Sequence, residues 1–531
     1  MRTLGLAALA LFSFAACGTP EPSAPAADQP VLVRGNGPEP DSLDPQRART
    51  VESGSVLRDL YEGLTAIGPD GAPIPAAAGS WTVSEDGLRY VFTLRSTARW
   101  SNGEPVVAAD FAAALRRLVD PATASQYAQV VDVIRNAGEV IAGERSPGEL
   151  AVRALDAQTL QIELAHPAPY LPALLSHWST FPLNRASLMR HGSGFTKPGN
   201  HVSNGAFALA RWVQGSHLDL TRNPHYWNDA STRLGGVRWI SFADNATEYK
   251  RYRAQELHIT ATVPAPQFEQ IRQQHAGELR LGPQLGTYFY AFNLRREPFA
   301  SQVGLRRALS LVIDRQRLVE SVTRVGELPA YGWVPPGTQG YQGQQFDYAA
   351  LPMAERIEQA RALYAAAGYS VAQPLRFELL YNTGDAHSRI AVAVAAMWKE
   401  ALGLDVSLRA VEFKVLQQEV DSGDVDVFRL AWIGDYNDPY TFAQYFKSDF
   451  GINTPRYRSA AYDTALERAA EAIDPAVRAA ELAIAERQLL ADHPVMPLYF
   501  YISRHLVSRR VEGWYDNVMN VTYSKDLALR R

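Results

Sequence analysis

"LRFELLYNTGDAHSRIAVAVAAMWKEALGLDVSLRAVEFKVLQQEVDSGDVDVFRLAW", residues 375–432, carries the pattern that decides the fold class. Strand-like stretches at 375–381, 404–412 and 425–432 alternate with helix-like ones. The helix predicted over 387–402 sets Ile390, Val394, Met397, Trp398 and Ala401 on one side, and Gly403 supplies the left-handed residue that ends it. Strand, helix, strand, helix, strand predicts parallel neighbours joined by right-handed crossovers. In such sheets ligands collect at the carboxyl ends of the strands. Two loops leave those ends, YNTGDAH at 381–387 and IGDYNDP at 433–439, so a parallel sheet opens both on one edge.

Outside this segment the pattern specifies structure without chemistry. Tyr90, Phe92 and Leu94 alternate with Arg89, Val91 and Thr93 as a half-buried strand should, and Asn102-Gly103 marks a tight turn. Residues 108–119 place Phe111, Leu115 and Leu118 at helical spacing and stop at Asp120-Pro121, where proline cannot continue a helix. In 494–501, Val495, Pro497 and Tyr499 alternate with Met496, Leu498 and Phe500, which predicts a late strand returning to the body. No tandem repeat of fixed period occurs.

A chain of 531 residues is too long for one hydrophobic core, and two or three domains are expected. Lys plus Arg is 52 against 56 Asp plus Glu, a net charge of −4 that leaves no basic excess for a phosphate backbone and disfavours nucleic-acid binding. Arg2, the apolar stretch 4–16 and then Cys17 read as a signal peptide over 1–16, since that stretch is too short to span a bilayer. Ala15 and Ala16 before Cys17 resemble the lipobox of bacterial lipoproteins, although Phe14 stands where leucine is usual. Cys17 is therefore the expected lipidation site. Residues 17–30, rich in Pro and Ala, read as a flexible tether holding the body off a membrane. Cys17 is the only cysteine, which excludes an intrachain disulfide or a thiolate metal site.

HExxH, GxxxxGK[ST], GxGxxG after a strand and GxSxG are all absent from the sequence. Asp435, Asn437 and Pro439 look like the start of a calcium loop, but Tyr440 stands where that loop needs glycine. Neither a cofactor nor a metal is expected.

Several stretches, in this order and spacing, resemble the peptide-binding proteins of bacterial ABC importers, solute-binding protein family 5. They include "DSLDP" (41–45), "DLYEGL" (59–64), "SWTVSEDGLRYVFTLRSTARWSNGEPVVAADF" (80–111), "SNGAF" (203–207), "NPHYW" (223–227), "LRRALSLVIDR" (305–315), "PAYGWVPP" (329–336) and "AWIGDYNDP" (431–439). The resemblance implies an α/β, two-lobed periplasmic-binding-protein-like fold (type II, cluster C) with an extra domain and the ligand cleft between the lobes. It implies a discontinuous domain I of 31–61, 186–287 and 504–531, a domain II of 62–185 and a domain III of 288–503. Lobes closing by hinge motion is a known behaviour of periplasmic binding proteins. The partners implied are a peptide ligand and the permease of an ABC importer, with a membrane reached through the lipid anchor, on the periplasmic or cell-surface side. A monomer that is not an enzyme is expected.

The same resemblance assigns site residues. Asp435 corresponds to the aspartate that takes a peptide's α-ammonium; from its own surroundings alone it reads more readily as an Asx turn before Pro439. Arg429 corresponds to an arginine that can meet a short peptide's carboxyl terminus, its planar fork suiting a carboxylate, or it makes an internal ion pair. His387 corresponds to a histidine with the same possible role, or it is a cap-region residue. Tyr127, Trp432, Tyr288 and Tyr290 match cleft-lining positions, Asn382 lies in the facing loop, and Val51 is a backbone contact. Arg49 stands where some oligopeptide binders are acidic, and Val420 where they have arginine, which leaves peptide length and charge preference open. Murein peptides or dipeptides suit the same cleft. A peptide hydrolase using Asp435 and Asp438 with His387 as base is the alternative from another class, and a metal chelate or a sugar the alternative ligand.

Overall fold

The structure is a computed structural model that describes residues 29–530; the expected signal peptide, Cys17 and all but the end of the tether lie outside the described residues. The deciding segment folds as its pattern requires. Strands Arg376–Asn382, Asp405–Val411 and Val427–Ile433 are parallel, with the first between the other two, and helices Asp385–Leu402 and Phe413–Ser422 are the crossovers. Ile390, Val394 and Trp398 are buried against the sheet, and Gly403 ends the first helix at φ 72°.

Three antiparallel additions complete a six-stranded sheet: Leu279–Phe292 beside Val427–Ile433, Val495–Leu506 beside that, and Leu328–Pro329 at the edge. The late strand is thus internal, which is why 495–500 are buried on both faces. One apolar cluster containing Trp398, Phe377 and Tyr288 covers one face, and another containing Trp333, Phe428 and Phe289 covers the other.

Two smaller sheets share a separate core. In one, Val31–Gly35 pairs in parallel with Gly236–Ile240, followed by His217–Arg222 and Phe207–Val213. The other is antiparallel, Ala78–Val83, Arg89–Leu94, Thr159–Glu163 and Val152–Ala154, and helix Ala108–Val119 packs on it with Phe111, Leu115 and Leu118 buried. Tyr90, Phe92 and Leu94 point inward as their alternation predicts. Gly205 of the SNGAF motif has a packing reason: a Cβ there would stand 2.6 Å from the Leu60 carbonyl carbon.

Leu279–Phe292 and Val495–Leu506 join the two regions. They pair from Leu279 opposite Leu506 to Ala291 opposite Val495, with the register broken between Pro283 and Thr287. Past Leu506, bridges from Val507 to Ile259 and from Ile259 to Arg34 reach the first small sheet.

The carboxyl-terminal residues close the amino-terminal region. Lys525 Nζ lies 2.9 Å from Glu62 Oε1, and Trp227 Nε1 donates to Glu62 Oε2 at 2.6 Å. The Ser524 hydroxyl donates to Asp59 Oδ2 at 2.7 Å. Lys525→Met should cost about 3 kcal/mol, because it leaves a buried carboxylate without its cation. Chemical denaturation at neutral pH measures this, and an unchanged midpoint would refute it.

Candidate ligand-binding site

A cavity of about 490 Å³ lies between the two regions. One wall is the start of helix Val51–Leu60 with segments 126–132 and 170–178. The other is the carboxyl end of strand Val427–Ile433 and the loop after it, with Gln284 at the broken register and residues 519–521. A cavity at the end of a parallel strand is where the topology places one.

The 433–439 loop is fixed residue by residue. Gly434 N–H donates to the Leu285 carbonyl at 2.9 Å, Asn437 Oδ1 accepts from Gln339 N–H at 2.9 Å, and Tyr436 stacks on Tyr170 with ring centres 5.0 Å apart. Asp438 takes both guanidinium nitrogens of Arg478 at 2.8 Å. Asp435 differs from Asp438 in this respect. Its backbone N–H donates to Thr441 Oγ1 at 3.2 Å, but among the described residues no cation lies within 4.0 Å of its carboxylate and no side-chain or backbone donor reaches it. Burial alone pushes its pKa from 3.8 up to about 7. The Asx turn that the sequence allowed belongs instead to Asp438, whose Oδ1 accepts from Tyr440 N–H at 2.8 Å.

Of the other expected residues, Trp432, Tyr127 and Val51 line this cavity. Trp432 donates its indole N–H to the Thr441 carbonyl at 2.8 Å. The Tyr127 hydroxyl donates to the Arg49 carbonyl at 3.3 Å and its ring rests on His177 and Trp178. Burial, and after it the charge of Asp435, raises the Tyr127 phenol to about 12. Val51 opens the helix capped by Thr50, whose hydroxyl accepts from Ser53 N–H at 3.2 Å.

Arg429, His387, Tyr288, Tyr290 and Asn382 form a second cluster, further down the sheet and outside the cavity wall. Arg429 is three residues back from Trp432, roughly 10 Å along an extended strand. It donates to Asn382 Oδ1 at 2.9 Å and to the Tyr501 hydroxyl at 3.3 Å, and stacks over the Tyr288 ring at 4.4 Å. No carboxylate lies within 4.0 Å of it among the described residues, so the internal ion pair is not formed. Tyr288 also meets His387 Nδ1 at 3.2 Å, and burial with the Arg429 charge lowers His387 to about 4. The hydrolase constellation is not assembled: Asp438 is held by Arg478, and His387 sits with Tyr288.

Arg49 pairs with Asp41 at 3.0 Å, next to Tyr127. Val420 is core, on the buried face of helix Phe413–Ser422. The structure adds residues that sequence reasoning passed over. Arg58 stacks on Trp178 at 5.0 Å and has no carboxylate within 4.0 Å among the described residues, and burial lowers its pKa. The sequence signal was the pair Arg58-Asp59, but Asp59 turns the opposite way, to Ser524 and Trp239. His177 faces the cavity and is held neutral, its pKa pushed down to about 3 by burial with the Arg58 charge adding to it. Among the described residues no group of three His, Cys, Asp or Glu side chains could hold a metal, and no helix is long and apolar enough to cross a membrane.

Comparison with known proteins decides the family. The model of the bacterial extracellular solute-binding proteins, family 5 Middle, matches residues 72–454. The chain belongs to this family. It is 37% identical over 505 residues to the periplasmic oligopeptide-binding protein OppA of Escherichia coli (strain K12), covering 94% of this chain and 93% of OppA. It is also 37% identical over 504 residues to the periplasmic murein peptide-binding protein MppA of the same strain. The structure of Haemophilus influenzae OppA in complex with RPPGFSPFR matches with a TM-score of 0.81 at 36% identity, covering 94% of this chain and 99% of that one. The mixed α/β, two-lobed architecture with a cavity between the lobes is the family 5 fold.

Proposed function

We propose that this family 5 protein captures peptides outside the cytoplasmic membrane and delivers them to an ABC importer, with Asp435 receiving the peptide's α-ammonium. One observation carries the reading: Asp435 is a cavity carboxylate without a protein cation, raised by burial alone to about 7. A carboxylate in that setting gains far more from an incoming ammonium than the ~1 kcal/mol of an aqueous contact. Likeness to OppA and MppA over nearly the whole chain supports a peptide as the ligand.

The site continues through Trp432, Tyr127 and Val51, which flank the peptide's first residues, to the Arg429 cluster. There the acid-free guanidinium, with His387 and Asn382 beside it and Tyr288 and Tyr290 beneath, suits a carboxyl terminus. Domain I (31–61, 186–287 and 504–531) and domain II (62–185) form one lobe and domain III (288–503) the other. The 287/288 and 503/504 limits fall inside the two long connecting strands, so closure bends them near Pro283–Thr287. The protein works as a monomer, anchored through Cys17 and its tether, and releases its peptides uncleaved.

The test is calorimetry with tri-alanine and its N-acetylated form. Acetylation removes the ammonium, and binding is expected to weaken by about a hundredfold or more. Equal affinities would sink the role of Asp435. Native mass spectrometry of the freshly purified protein then identifies the ligand class, murein peptides included.

A further inference from the structure

The main cavity opens into a second one of about 360 Å³, sharing Gln129, Asp132, Tyr170, Gln444 and Phe450 with it. Asp132 stands at the junction with its side chain exposed to the cavity space, lining both cavities. Among the described residues no cation pairs with it, and the Val133 backbone N–H is the one donor near its carboxylate. The charged and titratable groups near it are few. Lys447 is bound to Asp449 at 3.0 Å, Arg478 is held by Asp438, and His166 lies beside the Pro167 carbonyl. Tyr170, Tyr436 and Tyr440 form the ring stack between the loop and segment 170–178. Tyr170 lines both cavities and stacks on Tyr436, the neighbour of Asp435, so the side cavity adjoins the end of the site that takes the ammonium.

Among the described residues, the charges lining the two cavities without a salt-bridge partner are Asp435, Asp132 and Arg58. A tripeptide's ammonium takes Asp435 and its carboxylate the Arg429 cluster, while Arg58 stacks on Trp178, so Asp132 is the cavity carboxylate that the ligand's main chain leaves unanswered. A carboxylate that faces a cavity without a cation of its own favours an incoming one. Ile141 and Phe450 supply apolar wall for the methylene stem of a long basic side chain.

We propose that the side cavity is a subsite for a cationic side chain: a ligand whose ammonium sits on Asp435 places a lysine or arginine from its first or second position against Asp132. The proposal deepens the peptide-binding reading and rests on it.

The test compares tri-alanine with tripeptides carrying lysine, or its neutral near-isostere norleucine, at each position in turn, using calorimetry at pH 7.5. In the parent protein lysine is expected to bind about tenfold more tightly than norleucine at the first or second position. In Asp132→Asn the same ratio should fall to within about twofold. No lysine preference at either position in the parent would overturn the subsite. A preference that persists in Asp132→Asn would overturn the assignment as well. Failure of the parent to bind tri-alanine, by contrast, would count against peptide capture itself.

Discussion

Asp435→Asn is expected to weaken binding of tri-alanine by about a hundredfold or more, since an ammonium would meet a neutral amide in a partly desolvated cavity. Asparagine matches aspartate in size, and the loop holding it depends on Gly434, Asn437 and Asp438. The exchange should therefore leave the fold intact. The free variant should in fact be at least as stable as the parent at pH 8, because an ionised buried carboxylate without a partner costs stability. Calorimetry and a thermal melt on the same preparation check both halves. A dissociation constant within about threefold of the parent's, with an unchanged melt, would show that the ammonium binds elsewhere.

The second large effect is on pH. In the free protein Asp435 keeps its proton up to about pH 7, against an ordinary value of 3.8. The folded state thus binds this proton more tightly than the unfolded chain, so the group lowers stability as pH rises through that interval. A bound ammonium reverses the shift and makes binding release a proton below pH 7. Affinity for tri-alanine should fall about tenfold per pH unit below pH 7 until the complex itself takes up the proton. Above about pH 8 it should fall again as the ligand's own amino group, with a pKa of about 7.7–8.0, loses its proton. Histidines do not account for the acid limb, since burial holds His177 near 3 and His387 near 4. Tri-alanine presents no side-chain charge to Asp132, so the limb belongs to Asp435. Titrations from pH 5 to 9 in two buffers of different ionisation enthalpy would read both affinity and proton release. An affinity constant from pH 5 to 7 would contradict the assignment.

The strands and helices of 375–432 were legible because period and punctuation are local properties. Their parallel pairing correctly placed Asp435 at a strand end. Which acid of the IGDYNDP motif is spoken for was not legible. That depends on Arg478, forty residues later, reaching Asp438 and leaving Asp435 without a partner. Arg58 and Asp132 escaped notice for a related reason: each faces the cavity only because segments distant in sequence dock across it. Val420 shows the reverse limit, since a position that resemblance marks as bearing on specificity is here a core residue on the buried face of its helix. The division of the expected site residues between a cavity and a cluster down the sheet follows from strand length, which the sequence places only to within a residue or two.

The contacts of Lys525 with Glu62 and of Ser524 with Asp59 have a consequence for how the chain acquires its shape. They span 463 and 465 residues, so the amino-terminal core remains incomplete until residues 524 and 525 are available. Contacts of such long sequence separation carry a large loop-closure entropy and form late. A chain emerging amino terminus first through a membrane would pass through a stage in which Glu62 and Asp59 have no partners, and its first lobe would stay loose until translocation ends. A chain clipped before residue 524 would stay at that stage, open to proteolysis.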